Sequence, residues 1–307
     1  MGFLLGTALL AVVTALACAL PGVFIVLRRN SMLIDGVAHA VFPGIVVGYL
    51  LTHDLNSPLL ILGAALSGLL VVLGSEWLSR TGLLSGDAPQ GLIFPALFSV
   101  GIILTTARFS NIHLDTHTVL VGDLNLAAFD QLVVAGWNLG PTHLYVMLVV
   151  LLINAAFLAV LLPQMKATTF DPQFAELIGI RTRALNLAFM FLVSVTVTAA
   201  FHAAGALLVI ALVVAPPATA FLLTGHLPRM IALTLLFAGA GALAGFWLAY
   251  VSGAATSAGM AVFYGLFFAA VLIITRVRRR RRLSAPAPAP GAGDVATRPA
   301  VPGPPRR

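Results

Sequence analysis

The chain is poor in what a water-facing domain needs. Only 9% of its 307 residues are Asp, Glu, Lys or Arg, against roughly a quarter in a soluble domain, too few to clothe a globule of this size. Cysteine occurs once, at Cys18, and a single thiol excludes a disulfide framework, a thiolate zinc site and an iron–sulfur cluster. Any metal ligands must be His or carboxylate. Lysine also occurs once, as Lys166 between Met165 and Ala167. A phosphate-binding loop of the form Gly-x-x-x-x-Gly-Lys-Ser/Thr is therefore missing, and no nucleotide is hydrolysed by this chain. A Gly-x-Ser-x-Gly elbow with its partners and a His-Glu-x-x-His pair are missing too, which removes the usual support for a hydrolase or an intramembrane metalloprotease. Transport is the reading that is left.

What is present is apolar and comes in long blocks. The AVILMFWYC set makes up 60% of the chain and mean hydropathy is +1.04. About 20 apolar residues cross a bilayer as a helix, and nine segments qualify: 3–27, 32–51, 58–78, 91–107, 143–162, 184–201, 203–223, 229–250 and 257–275. The expected fold is an all-α polytopic membrane protein of about nine transmembrane helices, with residues 1–275 as the permease-like domain. Segment 91–107 is short and contains Pro95, and the sixth and seventh segments are parted only by His202 and its neighbours. Ala15-Leu16-Ala17 before Cys18 faintly resembles a lipoprotein cleavage site, but no basic region precedes it and the apolar run continues. Segment 3–27 reads as an uncleaved first helix.

The net charge of +7 and pI near 10.7 come from one place. Residues 276–307 hold nine Arg and one Asp, leaving eight basic and nine acidic groups upstream, so the basicity belongs to the tail and implies no nucleic-acid partner. Basic loops stay cytoplasmic. With the Arg-rich C-terminus inside, nine spans bring Arg28, Arg29, Arg80, Lys166, Arg181, Arg183 and Arg229 to the same side and leave only Arg108 outside, so sixteen of seventeen basic residues obey the rule. An eight-span alternative, with 91–107 re-entrant, strands Arg28 and Arg29 outside. Residues 276–307 are expected to be a basic, Pro/Ala-rich cytoplasmic tail, disordered over the Ser-Ala-Pro-Ala-Pro stretch, with Arg276 and Arg278–Arg282 at the lipid surface.

Ionisable groups inside spans are costly and usually functional. Asp35 and His39 are four residues apart, which puts both on one helical face about 6 Å apart and suits a carboxylate and an imidazole sharing a divalent cation. The structural alternative has Ser31 capping the helix, Asp35 favouring its first turn and His39 bonding a neighbouring helix. His113, Asp115 and His117 alternate in a predicted outer loop, where an extended backbone would point all three one way. His202 is a further pathway candidate, while Ser194, Thr196 and Thr198 are the kind of hydroxyls that join adjacent helices. Glu76, close to the cytoplasmic end of its span, can reach water.

Between the fifth and sixth spans a short cytoplasmic helix is predicted. Asp171 suits its N-cap, Pro172 its first turn and Gly179 its C-terminal stop. Phe174, Leu177 and Ile178 fall at i, i+3 and i+4 and form an apolar face on a loop with no core to cover. Such a face fits a partner's groove or the lipid interface.

Four stretches in register resemble one family, the manganese/zinc/iron class of ATP-binding-cassette importer permeases. They are Ser31-Met-Leu-Ile-Asp-Gly-Val-Ala-His-Ala-Val-Phe-Pro-Gly44, Val121-Gly-Asp-Leu-Asn-Leu126, Phe170-Asp-Pro-Gln-Phe-Ala-Glu-Leu-Ile-Gly179 and Gly205 to Ala220. The resemblance spans residues 5–275 and leaves out the tail. It implies a cell-membrane permease that pairs with a second copy as a homodimer, with two cytoplasmic ATPase subunits and with an extracytoplasmic metal-binding protein. It implies no permanently bound cofactor, the metal being transported zinc, manganese or iron. On this resemblance Asp35 and His39 match the family's Asp-x-x-x-His pattern on the metal path. Asp171, Pro172, Phe174, Ala175, Glu176, Leu177, Ile178 and Gly179 become a coupling helix that docks on the ATPase. Ile34 stands where many members have Gly. The rivals are an ion-driven secondary metal transporter needing no ATPase, and a permease for chelated metal or a small cofactor, which would want a cavity more aromatic than Trp77, Trp137 and Trp247 provide. A non-transport scaffold leaves Asp35 with His39 unexplained.

Overall fold

The computed structural model describes residues 2–53, 58–84, 88–108, 123–134 and 137–283. Among these, nine helices are long and apolar enough to cross a membrane. They are α1 (Phe3–Leu27), α2 (Ser31–Thr52), α3 (Pro58–Arg80), α4 (Ala88–Arg108), α6 (Thr142–Phe170), α8 (Thr182–Ala204), α9 (Ala206–Leu223), α10 (Leu227–Ser252) and α11 (Thr256–Leu283). Two short helices, α5 (Leu124–Phe129) and α7 (Pro172–Leu177), and an antiparallel hairpin of β1 (Gln131–Val134) with β2 (Trp137–Pro141) complete the order. The hairpin, absent from the sequence expectation, pairs Gln131 with Pro141 and Val134 with Trp137.

α1 is the axis of the bundle, and it packs against α6, α9 and α10. Its buried face is built from small residues, with Ala11, Ala15, Ala17, Cys18, Ala19 and Gly22 all buried. In lipid there is no hydrophobic drive between helices, so close backbone approach supplies the packing energy. At Gly22 a side chain would strike the Val213 carbonyl of α9. A second layer, α2 between α3 and α4, repeats the device: a Cβ at Gly63 would lie 2.6 Å from the Gly44 carbonyl oxygen, and one at Gly101 would lie 2.9 Å from Pro43 Cα.

One expectation is borne out and one is amended. Segment 91–107 is a full helix, α4, with Pro95 inside it; proline is tolerated in membrane helices because neighbours re-satisfy the freed backbone groups. This gives the nine-span count among the described residues rather than the re-entrant eight. The sixth and seventh spans are parted at Gly205, whose φ of +77° and ψ of 163° end α8, so His202 lies within the helix and not in the connection. The arginine run continues α11 as helix to Leu283, arginine being a good helix former. Residues 284–307 lie outside the described residues.

A candidate cation path and a coupling helix

Asp35 and His39 sit in the first half of α2 and share a face, as their spacing requires. His39 Nδ1 lies 2.9 Å from the Asp35 carbonyl oxygen and 3.4 Å from Asp35 Oδ1. A carbonyl only accepts, so Nδ1 is the donor in that contact, which leaves Nε2 as the ring nitrogen a metal would use. The ring is walled by Phe94 and Phe98 of α4, at centroid distances of 5.5 and 5.9 Å. Both side chains are still about one-third exposed, at 32% for His39 and 38% for Asp35. A carboxylate on the lipid-facing surface of a span is costly, so this surface calls for a protein or aqueous covering. The structural alternative read from sequence is corrected: the N-cap is Asn30 with no side-chain bond, Ser31 is already helical, and His39 bonds its own helix. A side chain at position 39 reaches the carbonyl one turn back more readily than a separate helix.

The Asp35 and His39 side chains of α2 stand alone, since no three His, Cys, Asp or Glu side chains converge among the described residues. His113, Asp115 and His117 lie outside the described residues. His202, in the last turn of α8, stacks on His143 with ring centroids 4.9 Å apart, far from the α2 pair in sequence. Two of the three hydroxyls before it join helices: Ser194 Oγ donates to the Ala65 carbonyl of α3 at 2.8 Å, and Thr196 Oγ1 accepts from Asn154 Nδ2 at 3.0 Å, whereas Thr198 Oγ1 is buried without a hydrogen-bond partner among the described residues. Glu76 pairs with Arg80 one turn along α3 at 2.6 Å.

The short helix between α6 and α8 forms with the caps its sequence specifies. Asp171 Oδ1 accepts from the Phe174 N–H at 2.9 Å, Pro172 opens the first turn, and the turn closes at Gly179 with φ +83°. The Ile180 N–H donates to the Ala175 carbonyl and the Gly179 N–H to the Glu176 carbonyl, both at 3.0 Å, the paired bonds of a left-handed helix stop. Ala175 is buried, whereas Phe174, Leu177 and Ile178 are 53%, 86% and 55% exposed. The apolar face covers nothing among the described residues.

Sequence reasoning missed Arg28. It served there as a marker of orientation, but its guanidinium is half-buried at the foot of α1. Nε donates to Thr169 Oγ1 at 3.1 Å, Nη1 to Asn186 Oδ1 at 2.8 Å and Nη2 to Thr168 Oγ1 at 3.2 Å, while the Phe189 ring lies 5.2 Å away. Burial lowers its pKa to about 10, so it stays charged at neutral pH. It ties α1 to the last turn of α6 and the first turns of α8, the two helices that α7 joins. Asn154 was missed as well. It bridges α6 to the Ala17 carbonyl of α1 and to Thr196 of α8, at 3.0 Å each, and its signal was a lone amide inside an apolar span.

Residues 1–275 match the ABC 3 transport family. The zinc transport system membrane protein TroD of Treponema pallidum is 40% identical over 267 residues, which are 87% of this chain and 72% of that protein. The manganese transport system membrane protein MntD of Bacillus subtilis is 34% identical over 264 residues, covering 86% and 89%. Among solved structures, PsaBC from Streptococcus pneumoniae in complex with Fab shares the fold at a TM-score of 0.75 over 92% of this chain and 95% of that one, at 23% identity. The chain belongs to the ABC 3 transport family, as a multi-pass membrane protein with nine candidate spans among its described residues.

Proposed function

We propose that this chain is the membrane subunit of an ATP-binding-cassette importer for a divalent transition-metal cation, with ATP hydrolysis in a separate cytoplasmic subunit. The observation that carries the reading is the Asp35–His39 pair, held on one face of α2 and left half-open at the surface of a single chain. Two ligands are too few to strip a cation of water, whereas two copies facing one another offer four. We therefore read the functional unit as a homodimer with the α2 faces turned inward. The carboxylates offset the cost of desolvating the ion, and the small ligand set keeps binding weak enough for release.

In this reading an extracytoplasmic metal-binding protein delivers the cation, and helix α7 with its flanks, residues 171–179, seats its exposed Phe174, Leu177 and Ile178 in a groove of each of two ATPase subunits. Nucleotide-driven movement of that helix passes into α6 and α8 and exchanges outward for inward access. The C-terminus lies on the cytoplasmic side, with the arginine run of α11 at the lipid surface. An ion-driven transporter would leave the α7 face idle, and that idle face favours the ATPase-coupled reading.

The test is elemental analysis of cells in which the gene is deleted, restored, or restored as Asp35→Ala, grown in metal-limited medium with zinc, manganese and iron measured together. A fall in one metal, reversed only by the unsubstituted gene, supports the reading and names the cargo. Full restoration by Asp35→Ala takes Asp35 off the path.

A further inference from the structure

Two histidines stand at the far end of the bundle from α7. His143 is the second residue of α6 and His202 lies in the last turn of α8, while α7 joins the opposite ends of these helices. At about 1.5 Å per residue, the lengths of α6 and α8 separate the pair from α7 by roughly 30 to 40 Å. In the orientation proposed above, this is the face at which cargo arrives.

The rings stack with centroids 4.9 Å apart and planes inclined by 27°. His202 is exposed and His143 half-buried. Among the described residues neither ring has a hydrogen-bond partner, whereas His39 and His53 each commit Nδ1 to a carbonyl one turn back, at 2.9 and 3.2 Å. Asp130 stands at the same end of the bundle. Its carbonyl accepts from the Thr142 N–H at 2.8 Å, which fastens the hairpin to the start of α6, one residue before His143.

We propose that His143 and His202 form a second, outer metal site that holds a divalent transition cation before it reaches the α2 pair, with the Asp130 carboxylate drawing the cation in. Imidazole suits zinc and ferrous iron, and a nearby carboxylate widens the range toward manganese. Nearly parallel rings do not aim their lone pairs at one point, so loading requires one ring to turn. His202, exposed three residues before the break at Gly205, is the ring free to do so. Water completes the coordination, since no third protein ligand converges with the pair among the described residues, and exchange is correspondingly fast. The site rests on the importer reading for its purpose but not for its existence.

The experiment titrates zinc into the full chain in lipid nanodiscs against a chromophoric chelator, with zinc-edge X-ray absorption of the loaded samples. Three forms are compared: unsubstituted, His143→Gln with His202→Gln, and Asp35→Asn with His39→Gln. The outer double variant loses one bound zinc per chain, and the α2 double variant keeps that zinc with imidazole scattering. His202→Gln alone, at an exposed position that leaves folding intact, weakens the same zinc tenfold or more. Equal zinc stoichiometry and affinity in the unsubstituted and outer-variant chains overturns the site, as does a zinc shell without imidazole in the α2 variant. Should the α2 variant import metal at the full rate in cells, the importer path through α2 fails while the zinc count still judges the outer pair.

Discussion

Replacing Asp171 by Ala removes one hydrogen bond, and its consequence is set by how short α7 is. An isolated helix of Pro172–Leu177 has too few turns to be stable by propensity, and only Ala175 is buried against the rest of the chain. Its order rests on its two ends. The Asp171 carboxylate accepting from the Phe174 N–H is worth about 1 kcal/mol, and since 1.4 kcal/mol is a factor of ten, its loss lowers the ratio of ordered to frayed helix about fivefold. Asp171→Asn keeps an acceptor in the same place and costs only a few tenths of that. Gly179→Ala forces a side chain into φ +83° and costs roughly 1 kcal/mol at the other end. The assay is metal taken up per ATP hydrolysed in proteoliposomes holding the chain, its ATPase and its binding protein. The expected order is unsubstituted and Asp171→Asn together, then Asp171→Ala and Gly179→Ala several-fold lower. An Asp171→Ala chain with undiminished uptake per ATP refutes the reasoning. An Asp171→Asn chain as poor as Asp171→Ala would show that the charge, and not the cap, matters there.

Substitutions at three further positions, with a control at a fourth, test the packing. Gly44→Ala drives a methyl against backbone atoms of α3, 2.5 Å from Ala64 Cα, which cannot rotate aside, so it destabilises by about 1–3 kcal/mol and lowers the melting temperature in detergent; Gly91→Ala, with open space around it, leaves the melt unchanged. Asn154→Leu removes the bonds to Ala17 and Thr196 and costs about 1–2 kcal/mol, interhelical hydrogen bonds in membranes averaging about 0.6 kcal/mol, again read as a melting shift. Arg28→Lys keeps the charge but loses the fork that reaches Thr169 and Asn186 together. It lowers the melting temperature nearly as far as Arg28→Met, whereas a purely electrostatic role would let the lysine form match the unsubstituted chain.

The spans were legible because length and hydropathy are local properties, and α7 was legible because Asp171, Pro172 and Gly179 act on their own neighbours. The misplaced junction at His202 shows where that ends. A hydropathy dip marked the polar side chain, but the helix ends where a glycine adopts positive φ, three residues later. Arg28 looked like an ordinary cytoplasmic arginine, since nothing adjacent in sequence announces Thr168, Thr169, Asn186 and Phe189, all more than 130 residues away. The same holds for His143 and His202. Their separation of 59 positions hides a stack that only the antiparallel course of α6 and α8 creates.

Sparse ligation is itself an argument about mechanism. A structural zinc site takes four protein ligands and holds the ion for the life of the fold, which would stop a transporter at its first turnover. This chain offers pairs: Asp35 with His39 in α2, and His143 with His202 at the opposite end from α7. In the proposed reading each pair would leave most of the coordination sphere to water or to a second chain, so each would hold a cation only while its neighbours supply the rest. Completing the α2 site from two copies would make affinity depend on how the copies face each other. A displacement begun at α7 and carried through Arg28 into α1, α6 and α8 would then change affinity by changing that spacing, and the cation would be released without any ligand having to be protonated or replaced.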